Sequence, residues 1–338
     1  MPLTVVVGGF FGDEGKGKIV GYLALRDNPA AAVRTGATNA GHTVLHAGRE
    51  YRLRALPSAV VNESTRLYIA RGALVHYRVV LEEVEKYGAA NRFMIDAGTG
   101  IITDEHVERE RRDEHLAKKI GSTLSGVGAA MVDRVLRRLP LARDVPELSK
   151  WVGDVQEAVW RHLDRGEHVV VEATQGYWLS LYHGTYPYVT SRDTTASAAL
   201  SEVGLGPRDA DEIIVVFKAY VTRVGEGPLE GELPPEEAER LGWVEYGTVT
   251  GRRRRVAPFN LKLAKRAVRA NTATMAALTK IDVLFPEARG VTSWDKLPEK
   301  ARRWIEELES ELGVPIALIG TGPEALETVD RRREVARR

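Results

Sequence analysis

The chain has 338 residues, 43% of them apolar, and its 48 basic and 47 acidic side chains leave a net charge of +1. That is enough to bury a sizeable core and too balanced for a protein working mainly through a basic nucleic-acid surface. There is no cysteine, which excludes disulfides, thiolate catalysis and cysteine-based metal sites and fits a reducing cytoplasm. No apolar run nears the roughly 18 residues of a membrane span, and Met1-Pro2-Leu3 leads straight into a strand with no signal peptide.

Thr4-Val5-Val6-Val7 is a β-branched run that breaks into Gly8-Gly9-Phe10-Phe11-Gly12-Asp13-Glu14-Gly15-Lys16-Gly17-Lys18 and resumes as an apolar stretch from Ile19 to Leu25. This predicts strand, phosphate-binding loop and helix: glycines admit an anion to backbone N–H groups, the helix presents its positive end, and lysines add charge. Gly12 to Lys18 matches the opening of a P-loop, but Ile19 stands where a magnesium-binding hydroxyl belongs, so Asp13 is the nearest hard ligand. A second short strand, Ala30–Arg34, runs into Thr35 to Val44, where small residues surround His42 with no apolar periodicity to explain it as packing.

Residues 51–56, 67–70 and 92–96 read as strands and Leu74 to Tyr87 as an amphipathic helix. The charged stretch 104–118 predicts a solvated helix without chemistry. Gly121-Ser122-Thr123-Leu124-Ser125-Gly126 precedes a helix carrying Arg134, Arg137 and Arg138, and its hydroxyls suit a phosphate or a helix cap equally. A helix from Trp151 to Leu163 leads to the strand 168–172, then to Gln175-Gly176 and an aromatic, hydroxyl-rich binding loop, His183 to Asp193.

Glu212 to Phe217 reads as a buried strand and 225–242 as a surface excursion. Thr248-Val249-Thr250-Gly251-Arg252-Arg253-Arg254-Arg255 presents a run of guanidinium groups that suits small carboxylates and phosphates, or a nucleic-acid patch. A long helix is expected over Leu261–Leu278. Next comes Lys280-Ile281-Asp282, whose carboxylate can accept from both N1–H and the exocyclic amine of guanine. Leu297–Leu312 reads as a helix, Pro315–Ile319 as a strand followed by Gly320-Thr321-Gly322-Pro323, and the tail Arg331–Arg338 as an exposed helix end. The alternation predicts an α/β fold, P-loop-like, with a mostly parallel central sheet flanked by helices, inserted loops and small subdomains. Residues 1–338 read as one large nucleotide-binding domain, with a helical insertion near 97–165 and a substrate-loop excursion near 222–260.

In their order along the chain, Gly12-Asp13-Glu14-Gly15-Lys16-Gly17-Lys18, Asn39-Ala40-Gly41-His42-Thr43, Gln175-Gly176, His183 to Ser191, Thr250-Gly251-Arg252-Arg253-Arg254, Lys280-Ile281-Asp282 and Gly320 to Pro323 resemble adenylosuccinate synthetases over nearly the whole length. The resemblance implies a cytoplasmic homodimer that joins IMP to L-aspartate with GTP and Mg²⁺, without nucleic-acid or membrane partners. It implies Asp13 as the base and a metal ligand, the Gly41 carbonyl as a second ligand, His42 as the acid and Gln175 as the holder of the 6-oxyanion. GTP would engage residues 12–18, Gly41, His42, Thr43, Arg254, Lys280, Ile281, Asp282, Gly320, Thr321 and Gly322. IMP would engage Asp13, Glu14, Gly15, Lys16, Asn39, Ala40, Gly41, His42, Thr123, Gln175, Thr190 and Arg252, with Arg137 reaching the partner's site. Aspartate would engage Thr248, Val249, Thr250, Gly251, Arg252, Arg253 and Arg254.

The chain departs from that pattern in being shorter than the common bacterial and eukaryotic forms. It also has Thr123-Leu124-Ser125-Gly126-Val127-Gly128-Ala129 for Thr-Gly-Arg-Gly-Ile-Gly-Pro, and Gly21 for an aspartate. Two other readings are a GTP-binding switch or RNA-associated module using the arginine run, and a related ligase with another amine donor.

Overall fold

Runs such as Leu3–Gly8, Val169–Glu172 and Met275–Thr279 are apolar on consecutive residues, which suits strands covered on both faces. In the computed structural model, which describes residues 2–247 and 251–335, these runs form the centre of a ten-stranded sheet. Thr248, Val249 and Thr250, expected at the aspartate site, lie outside the described residues.

The strands are β1 (Leu3–Gly8), β2 (Ala31–Arg34), β3 (His42–His46), β4 (Arg49–Leu53), β5 (Arg66–Ile69), β6 (Leu74–His76), β7 (Phe93–Asp96) and β8 (Gly100–Ile102). They continue as β9 (Val152–Gly153), β10 (Val169–Glu172), β11 (Glu212–Lys218), β12 (Tyr220–Arg223), β13 (Arg255–Pro258), β14 (Met275–Thr279), β15 (Ile316–Gly320) and β16 (Thr328–Asp330). The main sheet runs β16-β15-β14-β11-β1-β10-β2-β5-β7-β9, and β16 alone is antiparallel to its neighbour. Three small ladders, β3–β4, β6–β8 and β12–β13, stand apart from it. The helices are α1 (Lys16–Asp27), α2 (Tyr77–Lys86), α3 (Asp104–Arg112), α4 (Val127–Val135), α5 (Val155–Asp164), α6 (Ala196–Val203), α7 (Pro235–Arg240), α8 (Leu261–Ala270), α9 (Ile281–Leu284), α10 (Glu299–Leu312) and α11 (Arg332–Val335).

Alternation along β1 splits the core: Leu3, Val5 and Val7 face a layer containing α5, α6, α8 and α10, while Val6 faces α1 and α2. The expected α/β architecture is therefore present, with β1 central and its loop emerging between the carboxyl ends of β10 and β11. Among the described residues no helix is long and apolar enough to cross a membrane.

Several elements differ from expectation. The helix expected over Leu261–Leu278 ends at Ala270. Asn271 caps it, Thr272 turns left-handed at φ 47°, and Met275–Thr279 becomes a fully buried central strand, because a short apolar run fits either state. Leu74–His76 pairs in parallel with β8 before α2 begins. The excursion after β11 closes as the antiparallel β12–β13 ladder. The stretch 104–118 is not simply solvated, since α3 buries His106 and Glu110 against α4. Nor does the tail start exposed: Arg331 is buried with its guanidinium 3.8 Å from the Trp294 ring centre, and Arg332 bridges Asp27 and Asp330.

Under the loop after β1, Phe217 packs edge-on to Phe10 at 5.0 Å and to Phe259 at 5.9 Å, joining β11, the loop and the start of α8 in one aromatic cluster. Phe217→Ala removes the ring at the centre and is expected to cost about 3–5 kcal/mol, measured as a lowered denaturant midpoint. A loss below about 1 kcal/mol would mean that the loop does not depend on this packing.

Candidate active site

The loop between β1 and α1 is held by its own acid. Glu14 is buried, and its Oε1 accepts from the amides of Phe10 (3.0 Å) and Gly12 (2.8 Å) while Oε2 accepts from Lys16 Nζ (2.7 Å). Lys16 Nζ also donates to the Gln175 carbonyl, fixing the loop to the segment after β10. Gly15 starts α1 at φ 88°, and the first turn of the helix carries no acidic side chain, so its amide end is available to an anion. Lys18 turns away from this end and donates to the carbonyls of Glu324 and Glu327; burial lowers its pKa to about 8. It clamps α1 to the loop after β15.

His42 opens β3. That strand lies against α1 at two glycines, for a Cβ on Gly17 would meet His42 Cβ at 3.0 Å and one on Gly21 would meet Val44 Cγ1 at 2.7 Å. The space left by the aspartate expected at position 21 is thus filled by a valine. His42 Nδ1 sits 2.5 Å from Glu172 Oε1, a fully buried carboxylate at the end of β10. Glu172 also accepts from Arg34 Nη1 (2.7 Å), Ser58 Oγ (2.6 Å) and the Ser58 amide (2.6 Å). Burial pushes the His42 imidazole down, Arg34 pushes it further, and its pKa falls to about 3. Burial raises the Glu172 carboxyl, but Arg34, His42 and Ser58 outweigh it and hold it at about 2. Near neutral pH the pair is therefore a carboxylate and a neutral imidazole, whose Nδ1 is turned inward against Glu172 Oε1 and Arg34 Nη1. Nε2 is the nitrogen left for other partners.

Asp13 and His42 share one cavity of about 380 Å³, which Lys16, Asn39, Gly41, Thr123, Gln175, Thr190 and Tyr186 also line. Gln175, left-handed at φ 55°, donates Nε2–H to Asn39 Oδ1 at 2.9 Å and accepts from Thr174 Oγ1 at 2.6 Å. Asp13, at φ 61°, has Oδ2 2.9 Å from Arg254 Nε, and that N–H finds no acceptor in line. The amides opening α4 are already taken, since Glu110 accepts from Gly126 (2.7 Å) and Gly128 (2.6 Å). This side chain, rather than the hydroxyls of 122–125, caps the helix.

Lys280 and Asp282 lie past the end of β14, and Gly320 ends β15 with Thr321 and Gly322 just past it, all beyond the lining of that cavity. Asp282 Oδ1 is buried without a hydrogen-bond partner. Arg137, at φ 60° beyond α4, is exposed and away from the cavity. Each guanidinium of the arginine run is engaged within the chain. Arg252 donates to the Gly121 carbonyl (3.0 Å), Arg253 to Glu239 (2.9 Å), Arg254 to Glu245, and Arg255 to Glu232 (2.8 Å). Three of the four are thus paired with acids of the chain, although Arg252 and Arg253 remain exposed to solvent. Sequence reasoning passed over Arg34, Ser58, Glu110, Glu172 and Glu245. For Arg34 and Glu172 a signal existed, a charged residue ending a buried strand; for Ser58, Glu110 and Glu245 there was none.

The family profile described as adenylosuccinate synthetase matches residues 5–145 and 139–288. The adenylosuccinate synthetase of Methanocaldococcus jannaschii is 51% identical over 98% of this chain and 97% of its own, and that of Thermococcus onnurineus is 50% identical over 98% and 99%. The compact length is thus shared with these relatives. In fold, the chain is similar to the fully ligated adenylosuccinate synthetase of Plasmodium falciparum, with a TM-score of 0.90 at 24% identity over 98% of this chain and 100% of that one. It is also similar to the cyanophage S-2L succinoaminodeoxyadenylate synthetase bound to dGMP and to dATP as an energy donor (TM-score 0.80, 25% identity, 99% and 97%).

The His42 environment sets a pH dependence. The unfolded chain takes up the histidine proton as pH falls through 6.5, whereas the folded chain does so near 3, so the stability present above 6.5 is lost as pH falls between them. Glu172 adds to the loss from 4.5 toward 2. On going from pH 7 to pH 5, His42→Asn should lose about 1–2 kcal/mol less unfolding free energy than the native chain. Denaturant melts at the two pH values measure this, and equal losses would contradict the neutral buried imidazole.

Proposed function

We propose that, in a chain that belongs to the adenylosuccinate synthetase family and ligates L-aspartate to IMP with GTP, Asp13 and His42 divide the proton transfers on either side of one phosphoryl transfer. What supports this most is their place in one cavity with Gln175 and Asn39 at the carboxyl ends of β1, β2 and β10. The hypoxanthine 6-oxygen is a poor leaving group, so it must first be phosphorylated. Asp13 removes the N1 proton and Gln175 Nε2–H steadies the oxyanion, which then attacks the γ-phosphorus as GDP departs. His42 is neutral while the site holds no anion. Negative charge from the γ-phosphate raises its pKa, and Nε2–H then donates toward the transferring group while Glu172 holds Nδ1. The aspartate amine attacks C6 of the 6-phosphoryl-IMP and phosphate leaves.

The family requires Mg²⁺, and the hard oxygens of the Asp13 carboxylate and the Gly41 carbonyl suit it; when bound beside the phosphates it offsets their charge. Among the described residues no group of three or more histidine and acidic side chains could hold a metal ion. The open amides of α1 and Lys16 would receive phosphates; Asn39, Thr123, Thr190 and Arg252 would bind IMP. Arg254 Nε–H, buried and without an aligned acceptor, favours a carboxylate or phosphate oxygen. When an incoming anion engages Arg254, Asp13 is freed for the N1 proton.

The orphaned Oδ1 of Asp282 favours guanine, whose N1–H and amine give two donors, over an adenine energy donor. Around Arg137, Val132, Val135 and Leu136 are 50%, 65% and 53% exposed, an apolar patch that favours a homodimer with this arginine at the partner's site. In this reading the whole chain is one catalytic domain in the cytoplasm, with 97–165 supplying Thr123 and Arg137 and 222–260 supplying Arg252 and Arg254. The pairing of Arg253, Arg254 and Arg255 with acids of the chain lowers the positive charge open to an RNA partner.

An assay with IMP, L-aspartate, GTP and Mg²⁺ should form adenylosuccinate. Asp13→Ala should lower kcat about 10²–10⁴-fold with the fold intact, and near-native turnover would remove Asp13 from the chemistry. Asp282→Asn should raise the KM for GTP about 10- to 100-fold and narrow the preference over ATP. An unchanged GTP-to-ATP ratio would place base selection elsewhere.

A further inference from the structure

One partly buried carboxylate, Glu245, takes no part in the proton and phosphoryl transfers, yet it touches the residues that serve two of the three substrates. Its Oε2 lies 3.0 Å from Lys218 Nζ and accepts from Arg254 Nη1; its Oε1 accepts from the Tyr220 hydroxyl and stands 3.9 Å from Lys280 Nζ. The backbones are joined as well, for the Arg254 amide donates to the Glu245 carbonyl at 2.9 Å. Lys218 is fully buried and also donates to Thr222 Oγ1 at 2.7 Å; Tyr220 is stacked on Trp243 with ring centres 4.7 Å apart.

The arrangement has a clear electrostatic logic. Lys218 and Arg254 are cations brought to the same carboxylate oxygen, where solvent is scarce and like charges repel. Without the negative charge of Glu245, Arg254 would be driven away from Lys218. A long side chain free to move loses the geometry that makes a guanidinium an effective receptor for a carboxylate. Glu245 also reaches Lys280, so the segment that reads the base and the arginine beside Asp13 meet on one anion.

We propose that Glu245 is a positioning residue that holds Arg254 in place for the carboxylate of L-aspartate and, through Lys280, lets occupation of the guanine site prepare the amino-acid site. This rests on the reading of Arg254 as an aspartate receptor.

The test uses the full-length enzyme and steady-state kinetics with L-aspartate varied at low and saturating GTP. In Glu245→Gln the aspartate KM should rise about tenfold while kcat stays within about threefold, and saturating GTP should no longer lower that KM as it does in the native enzyme. Tyr220→Phe, which frees Oε1 but keeps the charge and the stacked ring, should raise the aspartate KM about threefold, and it serves as the probe if the first variant does not fold. Arg254→Ala distinguishes the receptor from the residue that positions it. If it leaves the aspartate KM unchanged, the receptor reading itself fails. If Arg254→Ala raises the KM but Glu245→Gln and Tyr220→Phe match the native enzyme, the positioning role is overturned. A native aspartate KM indifferent to GTP would overturn the link through Lys280.

Discussion

The structure turns on the fully buried carboxylate of Glu172. An ionised acid away from water costs several kcal/mol unless its lone pairs are used, and here Arg34, His42 and Ser58 use them. These partners come from the end of β2, the start of β3 and the turn after β4, so satisfying one charge brings three otherwise separate segments to the carboxyl edge of the sheet. The fold and the chemistry share this requirement. The contact that makes the carboxylate tolerable also turns Nδ1 of the imidazole inward, and with it decides that Nε2 is the nitrogen left for other partners.

The same device recurs at lower stakes. Glu14 takes two amides of the loop after β1, Glu110 takes the amides opening α4, and Glu245 takes Arg254 and Lys218. Each is an internal anion set on donors that would otherwise repel one another or lie unsatisfied. The outcome for the donors is not the same in every case. Those gripped by Glu14 and Glu110 are spent on shape, whereas Arg254 retains an N–H with no aligned acceptor. The donors these carboxylates leave open are chiefly the first turn of α1 and the Arg254 Nε–H, which is where an anion is proposed to bind.

Much of this was legible in the sequence. The glycine loop after an apolar run fixed β1 and α1, and the alternation of elements fixed a mostly parallel sheet. The two glycine loops past β1 and β2 placed Asp13 and His42 at the carboxyl edge of the sheet, where the cavity lies, while Gln175 was named through the family resemblance. What was hidden shares a cause: it depended on contacts between distant segments. Met275–Thr279 is apolar without periodicity, and only its place between β11 and β15 makes it a strand. Glu110 resembled any residue of a charged, solvated helix until α4 was packed beside it. The arginine run looked like a free basic patch because its acidic partners, Glu232, Glu239 and Glu245, lie 9 to 23 positions upstream.

On the roles proposed for His42 and Asp13, charge state and geometry together would keep such a site from wasting its nucleotide. With no phosphate present, burial and Arg34 keep the His42 imidazole neutral, so the residue best placed to donate a proton does not carry the extra one. A γ-phosphate brings the negative charge that reverses this balance, since a nearby anion favours the imidazolium and in a low-dielectric cavity its effect is large. The acid is then created by the substrate it serves. Asp13 is restrained in a complementary way, its carboxylate lying against Arg254 until another anion engages that guanidinium. On the proposed roles, both His42 and Asp13 thus depend on arrival of negatively charged substrates, and the buried residues that set the state of the imidazole, Arg34 and Glu172, need never touch the reacting atoms.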